Sequence, residues 1–138
     1  MGWLALGHEI ERARRRDGRF VLAFIDVDRL EDINDREGHA AGDEALKKVV
    51  AGLRTHLRSF DPIVRYGGDE FVAGLGAASL KMVAGRFDHI ARSLTEMGLD
   101  ISVGLSELAP GETLDELTAR ADAELLVVKR RNQGRRGG

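Results

Sequence analysis

Several residue types and patterns are absent or scarce in this sequence of 138 residues. Cysteine is absent, which excludes disulfides and thiolate metal sites and is typical of a reducing compartment. The net charge is only −2, so no overall field favours nucleic acid or an anionic membrane as a partner. No apolar run approaches the roughly 20 residues of a membrane span, and the first residues lack the pattern of a signal peptide. We therefore expect a cytoplasmic protein, or a cytoplasmic part of a longer one, with no nucleic-acid partner and no membrane segment.

The residues that are present indicate one folded domain. Hydrophobic residues make up 43% of the chain and charged residues 32%, proportions typical of a globular protein. A chain of this length buries one hydrophobic core. We expect a single domain over residues 1–138, which opens with a helix over residues 4–16 and ends in a basic, frayed tail over residues 131–138.

The apolar patterns predict a sheet covered by helices. Residues 20–25, FVLAFI, form a continuous apolar run, which is typical of a strand buried on both faces. Residues 62–65 and 70–75 flank a turn and predict a hairpin. The other predicted elements are helices over residues 29–35, 39–57, 80–97 and 114–130, and a strand over residues 100–105. This order predicts an α/β (α+β) sandwich with a mostly antiparallel central sheet, of the ferredoxin-like type.

Acidic side chains follow the first strand and occupy the hairpin turn. Asp26 and Asp28 come at the end of the buried run, and Asp69 and Glu70 lie within RYGGDEF, residues 65–71. Acids gathered at neighbouring strand ends repel each other unless a cation binds them. Because the available ligands are all oxygens, we expect Mg²⁺ or another hard divalent cation. Two unrelated acidic turns are the alternative interpretation.

The turn also contains two adjacent glycines, Gly67 and Gly68. Adjacent glycines between apolar runs predict a two-residue hairpin turn in which both residues adopt positive φ angles. Glycine also leaves room for another molecule to approach the backbone.

This hairpin and its surroundings resemble the GGDEF domains of diguanylate cyclases, which condense two GTP molecules into cyclic di-GMP. Residues 65–71 match the family's signature, and further matches lie upstream within residues 26–43 and downstream at residues 102–104, 121–122 and 129. The resemblance covers about residues 8–131. It implies a palm-type nucleotidyl cyclase fold, transferase chemistry in the signal transduction of a bacterial second messenger, and catalysis by a homodimer.

The resemblance also implies roles for individual residues. The metal ligands would be Asp26, the carbonyl of Val27, Asp69 and Glu70, with two Mg²⁺ or Mn²⁺ ions in each active site. Asp69 and Glu70 would be catalytic, because Asp69 would help to deprotonate the attacking 3′-hydroxyl and Glu70 would complete the acidic cluster. The residues that would bind GTP are Asn34, His39, Asp43, Gly67, Gly68 and Lys129. Without the resemblance, Asn34 would be interpreted as a turn former and His39 as the start of a helix.

Arg58 and Asp61 match the RxxD motif of the family, which implies an inhibitory site for the product, cyclic di-GMP. A guanidinium group can hold a phosphate or a guanine edge in a fork, and a carboxylate can accept a guanine N–H pair. A surface ion pair of little energetic value is the alternative.

The chain departs from the family pattern in three places. The usual opening segment is not in this chain, Glu31 stands where lysine is usual, and Gln133 stands where a phosphate-binding arginine is expected. These departures favour a second function, a weak or inactive GGDEF domain that binds GTP or cyclic di-GMP and regulates a partner domain. The complete signature favours the cyclase, and in both cases we expect a further sensory or regulatory domain in the full-length protein. A polymerase-like or CRISPR-associated palm domain is disfavoured, since Asn34, Asp43 and the RxxD motif match the diguanylate pattern.

Overall fold

In the computed structural model, which describes residues 2–137, four strands form one antiparallel sheet. The strands are β1 Phe20–Val27, β2 Ile63–Arg65, β3 Glu70–Gly76 and β4 Ile101–Glu107. The helices are α1 Gly2–Arg15, α2 Leu30–Glu37, α3 His39–His56, α4 Leu80–Thr95 and α5 Leu114–Gly137. The strand order β2-β3-β1-β4, with helices between β1 and β2 and between β3 and β4, is the ferredoxin-like arrangement. The predicted fold class is confirmed.

Strand β1 lies in the middle of the molecule, and all eight of its residues are buried. Val21, Ala23 and Ile25 pack into the core formed with α3 and α4. Phe20, Leu22 and Phe24 pack into the core formed with α1 and α5. Because side chains alternate along a strand, Asp26 lies on the same face as Phe24, towards α5. The apolar run is continuous because helices cover both faces of β1.

Helix α5 packs directly against the backbone of β4 at Gly104. A Cβ atom at Gly104 would lie 2.2 Å from the carbonyl oxygen of Ala121 and 2.3 Å from the backbone nitrogen of Leu125. No residue other than glycine fits there without moving the helix. This close approach brings the turns of α5 that follow Leu125 to the end of β1.

Helix α5 is longer than the sequence predicts. It continues to Gly137, so residues 131–137 of the predicted frayed tail are helical, and Gly138 lies outside the described residues. Two features account for the extension: basic residues are favourable near the C-terminus of a helix, and the Asn132 side chain bonds to Ser102 of β4. Although α5 has 24 residues, no helix within residues 2–137 combines the length and apolar character needed to cross a membrane.

The hairpin turn differs from the predicted two-residue turn. Strand β2 ends at Arg65 and β3 begins at Glu70, so the connection has four residues, and such a loop does not need the backbone geometry of a two-residue turn. The backbone N–H groups of Tyr66 and Gly67 both donate to the carbonyl of Glu70, at 2.8 and 3.3 Å. The glycines with positive φ in the described chain are Gly18, Gly38, Gly98 and Gly111. The prediction of positive φ at Gly67 and Gly68 is therefore wrong.

Candidate functional site

The hairpin turn and the end of β1 lie side by side. Asp26 pairs with Glu70 in the register of β1 and β3, and the N–H of Val27 donates to the carbonyl of Asp69 at 2.9 Å. The sheet thus brings together the two acidic segments that the sequence keeps more than 40 residues apart. The expectation that they meet at one site is supported by this geometry.

Asp26 is a buried carboxylate with one oxygen left over. The residue is 3% exposed, Lys129 of α5 donates to Oδ2, and Oδ1 has no hydrogen-bond partner. Burial raises the pKa of Asp26 to about 6, the hydrogen bond from Lys129 opposes this shift, and the charge of Asp69 adds to it. The pKa of Lys129 is also raised, chiefly by its hydrogen bond to Asp26. The site favours the binding of positive charge at Asp26, and Lys129 supplies it in this structure.

The oxygen atoms at this site suit a hard divalent cation. Asp26 and Asp69 line the same cleft, close enough for the charge of Asp69 to raise the pKa of Asp26, and the unpartnered Oδ1 of Asp26 is the kind of atom that a metal would ligate. Within residues 2–137, no group of three or more His, Cys, Asp or Glu side chains is arranged to hold a metal by itself. A bound cation would therefore complete its coordination with the Val27 carbonyl, water or phosphate, as Mg²⁺ commonly does.

Glu70 lies opposite Asp26 on β3. Its Oε1 is 2.9 Å from the position that a Cβ of Gly67 would occupy, and it is not among the described residues that line the cleft at Asp26. Its pKa is raised by burial first and then by the charges of Asp69 and Asp122. Its role as a metal ligand and catalytic residue stays a prediction.

Two adjoining cavities meet at Asp69. The first, a cleft of about 490 Å³, contains the ends of β1 and α5, and it is lined by Asp26, Val27, Asp28, Arg29, Asp69, Ser102, Lys129, Asn132 and Gln133. The second, a pocket of about 350 Å³ between α2, α3 and the hairpin turn, is lined by Leu30, Glu31, Asn34, His39, Gly42, Asp43, Leu46, Arg65, Gly68 and Asp69. We call them the acidic cleft and the helix pocket. Together they hold the predicted site residues except Glu70, Gly67 and the RxxD pair.

The helix pocket owes its shape to a close contact between α2 and α3. A Cβ at Gly42 would lie 1.8 Å from Oδ1 of Asn34, so glycine at this position allows the Asn34 side chain to lie against α3. Asp43, the next residue, is exposed. An amide and a carboxylate therefore face one small pocket, which is a suitable arrangement for the polar edge of a base.

The hairpin turn is held by a residue that sequence reasoning missed. The Arg65 side chain donates to the carbonyl of Gly68 at 2.8 Å and to that of Gly67 at 3.3 Å. A Cβ on Gly68 would meet no other atom within 4 Å. Neither its φ angle nor its surroundings in this chain require glycine there, which is consistent with a second molecule approaching the turn.

Three further residues in the acidic cleft were not predicted as functional. The hydroxyl of Ser102 donates to Asp28, with 2.9 Å to each carboxylate oxygen, and Asn132 donates to the Ser102 oxygen at 3.1 Å. Arg29 has a left-handed backbone, with φ 58°, and its side chain pairs with Asp100. This backbone is uncommon for a residue other than glycine, and only the structure reveals it.

The RxxD pair lies at a different place, where α3 leads into β2. Arg58 forks onto Asp61, with Nε 3.2 and 3.1 Å from the two carboxylate oxygens, and also donates to the Gly76 carbonyl at 2.7 Å. Asp61 is 2% exposed, so its carboxylate binds Arg58 rather than facing solvent. Arg58 borders a cavity of about 120 Å³ that is also lined by Arg12, Arg16 and the acids Glu9 and Asp17. An exposed surface ion pair does not describe this arrangement.

Comparisons with known proteins agree with the fold. The family model described as "Diguanylate cyclase, GGDEF domain" matches residues 4–135. Diguanylate cyclase DgcP of Pseudomonas aeruginosa is 32% identical over 94% of this chain and 21% of its own length. Diguanylate cyclase DosC of Escherichia coli is 33% identical over 92% of this chain and 30% of its own length. The chain thus spans less than a third of these two relatives.

A solved structure adds a further comparison. A microbial GGDEF domain, studied for its interaction with cyclic di-GMP, is 35% identical and superposes with a TM-score of 0.84, covering 92% of this chain and 81% of that one. The family match extends over the whole sheet and both cavities. This chain therefore belongs to the GGDEF domain family of diguanylate cyclases.

Proposed function

We propose that this chain condenses two GTP molecules into cyclic di-GMP and two pyrophosphates. The observation that supports this most strongly is the position of Asp69, which borders both the acidic cleft and the helix pocket. A nucleotide can place its base in one cavity and its phosphates in the other, with its ribose next to Asp69. The sizes and linings of the two cavities suit such a ligand.

The helix pocket would select guanine. The Asp43 carboxylate can accept hydrogen bonds from N1–H and N2–H of guanine, and the Asn34 amide can meet N3 and N2. Adenine carries an acceptor at N1, which would leave a carboxylate facing an acceptor at a considerable cost in binding free energy. His39 lines the same pocket and would border the base.

The acidic cleft would bind the triphosphate and carry the chemistry. Asp69 would take the proton of the attacking 3′-hydroxyl, and Lys129 would provide positive charge beside the phosphates. Two divalent cations, Mg²⁺ or Mn²⁺, would neutralise charge on the transferred phosphate when bound, held by Asp26, the Val27 carbonyl, Asp69 and, as the family resemblance implies, Glu70. The Gly67–Gly68 backbone would approach the phosphates without obstruction by side chains.

The reaction requires two copies of the chain. The 3′-oxygen of each GTP attacks the α-phosphorus of the other, so each chain would present one GTP to its partner in a homodimer. The relatives DgcP and DosC are more than three times as long as the matched region. We therefore propose that a further sensory or regulatory domain controls this one, and that the protein acts in the cytoplasm, where GTP is present.

A second candidate function is a regulatory domain that binds GTP or cyclic di-GMP without turnover. Two observations favour it: Glu31 lines the helix pocket, and Gln133 lines the acidic cleft. Gln133 places a neutral side chain in the cleft where a triphosphate would benefit from a positive charge. Glu31 places a negative charge in the adjoining pocket, from which it would repel the phosphates.

Incubation with GTP and Mg²⁺, followed by chromatography, distinguishes the two candidates. Cyclic di-GMP formed by the parent and not by Asp69→Asn would support the cyclase. GTP that binds in calorimetry without any product would support the regulatory domain. A parent that converts no GTP and binds neither GTP nor cyclic di-GMP would contradict both.

We further propose that the RxxD region binds the product, with Arg58 as the direct contact and Asp61 as the residue that holds it. Arg12 and Arg16 line the same cavity as Arg58, together with the acids Glu9 and Asp17, and Arg12 pairs with Glu9. Arg58→Ala should weaken cyclic di-GMP binding by about tenfold to a hundredfold, as expected for a lost charged hydrogen bond. Asp69→Asn is the control that should bind equally well. Equal binding by Arg58→Ala and parent would show that the pair only stabilises the fold.

A further inference from the structure

A chain of hydrogen bonds runs along one wall of the acidic cleft, from α5 across β4 to the end of β1. Asn132 donates to the hydroxyl oxygen of Ser102 at 3.1 Å, and this hydroxyl donates to the Asp28 carboxylate at 2.9 Å. Ser102 is 2% exposed. All three side chains line the cleft.

In this chain of hydrogen bonds, each group donates in the same direction, towards Asp28. A serine hydroxyl carries one proton, which Ser102 gives to the carboxylate, and its lone pairs then accept from a donor. The Asn132 amide provides that donor, which strengthens the hydrogen bond from the hydroxyl to Asp28. The backbone of Asp28 is fixed as well, since its N–H donates to the carbonyl of Asp100 at 2.9 Å.

Helix α5 is thereby linked to both residues that flank Val27, to one directly and to the other through Ser102. Lys129 pairs with Asp26, which precedes Val27, and Asn132 acts through Ser102 on Asp28, which follows it. Lys129 and Asn132 are three residues apart and therefore lie on the same face of the helix. Two contacts from one rigid helix would fix the orientation of the peptide between them.

We propose that Asn132 is a positioning residue for the metal-binding end of β1. Through Ser102 and Asp28 it orients the Val27 carbonyl and the Asp26 carboxylate, without touching metal or nucleotide itself. This inference rests on the metal site of the proposed function. Partners behind metal ligands commonly affect metal affinity by about 10–100-fold, and a residue acting through two others should have a smaller effect.

Binding of Mn²⁺ tests the proposal without turnover. Mn²⁺ is titrated into the protein and followed by electron paramagnetic resonance, with saturating 3′-deoxy-GTP, which lacks the attacking hydroxyl. Asn132→Ala should weaken Mn²⁺ binding about three- to tenfold. Asn132→Leu, which keeps a similar size but removes the donor without adding charge, should weaken it at least as much. Val127→Ala is the control, because this exposed residue trims the same helix outside the cleft.

A double-mutant cycle tests the route through Ser102. If Asn132 acts through this hydroxyl, Ser102→Ala combined with Asn132→Ala should bind Mn²⁺ as Ser102→Ala does alone. Additive losses would overturn the route. Unchanged Mn²⁺ affinity in both Asn132 variants would overturn the proposal and leave the hydrogen bond as an anchor for α5. A parent protein that binds no Mn²⁺ would overturn the proposed metal site, and this inference with it.

Discussion

Two buried aspartates, Asp26 and Asp61, are 3% and 2% exposed and each pairs with one cation, yet their surroundings differ. Both oxygens of Asp61 are occupied, by the Arg58 guanidinium and by the Arg58 backbone N–H at 2.8 Å. Asp26 has one oxygen bonded to Lys129 and one without a partner. A buried carboxylate with all its hydrogen bonds made holds the chain in place, whereas one with an unused oxygen is available to a ligand.

The largest expected effect is the loss of cyclase activity when Asp69, which lines the same cleft as Asp26, is replaced. Asp69→Asn removes a carboxylate from the junction of the two cavities, so we expect cyclase activity to fall at least a hundredfold, as loss of a catalytic base does. The free energy of unfolding of this variant should stay within about 0.5 kcal/mol of that of the parent, because Asp69 is only half-buried and lies in a turn. Chromatography of the product and urea unfolding measure the two quantities. Parental activity in this variant would contradict the assignment of the site.

The comparison itself predicts opposite effects on stability. Asp61→Asn should lower the free energy of unfolding by about 2–3 kcal/mol, because it leaves the partly buried Arg58 without its counter-charge. Asp26→Asn should leave stability unchanged or raise it, because burial disfavours the charged form of Asp26 and asparagine carries no charge. Urea unfolding at pH 7 checks both variants side by side. Equal losses would show that both aspartates are structural.

The pH dependence of stability should carry the signature of Asp26. Its pKa is raised by burial from 3.8 to about 6, so the folded protein keeps a proton that the unfolded chain releases between these values. The resulting stabilisation is fully present below about pH 4 and is lost as the pH rises to about 6. It amounts to at most about 3 kcal/mol. The difference in unfolding free energy between parent and Asp26→Asn, followed from pH 4 to pH 7, should change in this range, and a constant difference would contradict the raised pKa.

The smallest predicted effect concerns GTP affinity and Glu31, which lines the helix pocket. At about 6 Å from a phosphate, the Glu31 charge would contribute roughly 3 kcal/mol of repulsion at an effective dielectric of 20, and solvent screening reduces this because Glu31 is exposed. Glu31→Lys should therefore tighten GTP binding about tenfold in calorimetry. Glu37→Lys, an exposed acid on the same helix outside this pocket, is the matched control. Equal gains in both variants would indicate a general charge effect.

Local patterns in the sequence were sufficient to predict the elements but not the contacts between distant ones. The apolar run of β1 predicts its burial. The spacing of Thr113 and Glu116 is a local signal for a helix start, and the two residues form a capping box at the start of α5, with hydrogen bonds of 3.0 and 3.1 Å. The pairing of Asn132 with Ser102 depends on how closely α5 approaches β4 at Gly104, which no local pattern encodes. The adjacent glycines favour a two-residue turn, but Tyr66 and Asp69 also belong to the connection, and in this four-residue loop neither glycine has a positive φ angle.

Because Asp69 borders both the acidic cleft and the helix pocket, a single nucleotide could occupy the two cavities at once. A ligand that fills both cavities consists of two linked fragments, a nucleoside in the helix pocket and a polyphosphate in the acidic cleft. Once one fragment is seated, the other is held near its own cavity at a high effective concentration, so that the linked molecule binds far more tightly than either part. Guanosine and pyrophosphate offered separately would each lack this advantage, and cleavage of the bond between the α- and β-phosphates would convert one tightly held ligand into two weakly held ones. The same geometry that favours capture of the substrate would thus favour departure of the pyrophosphate.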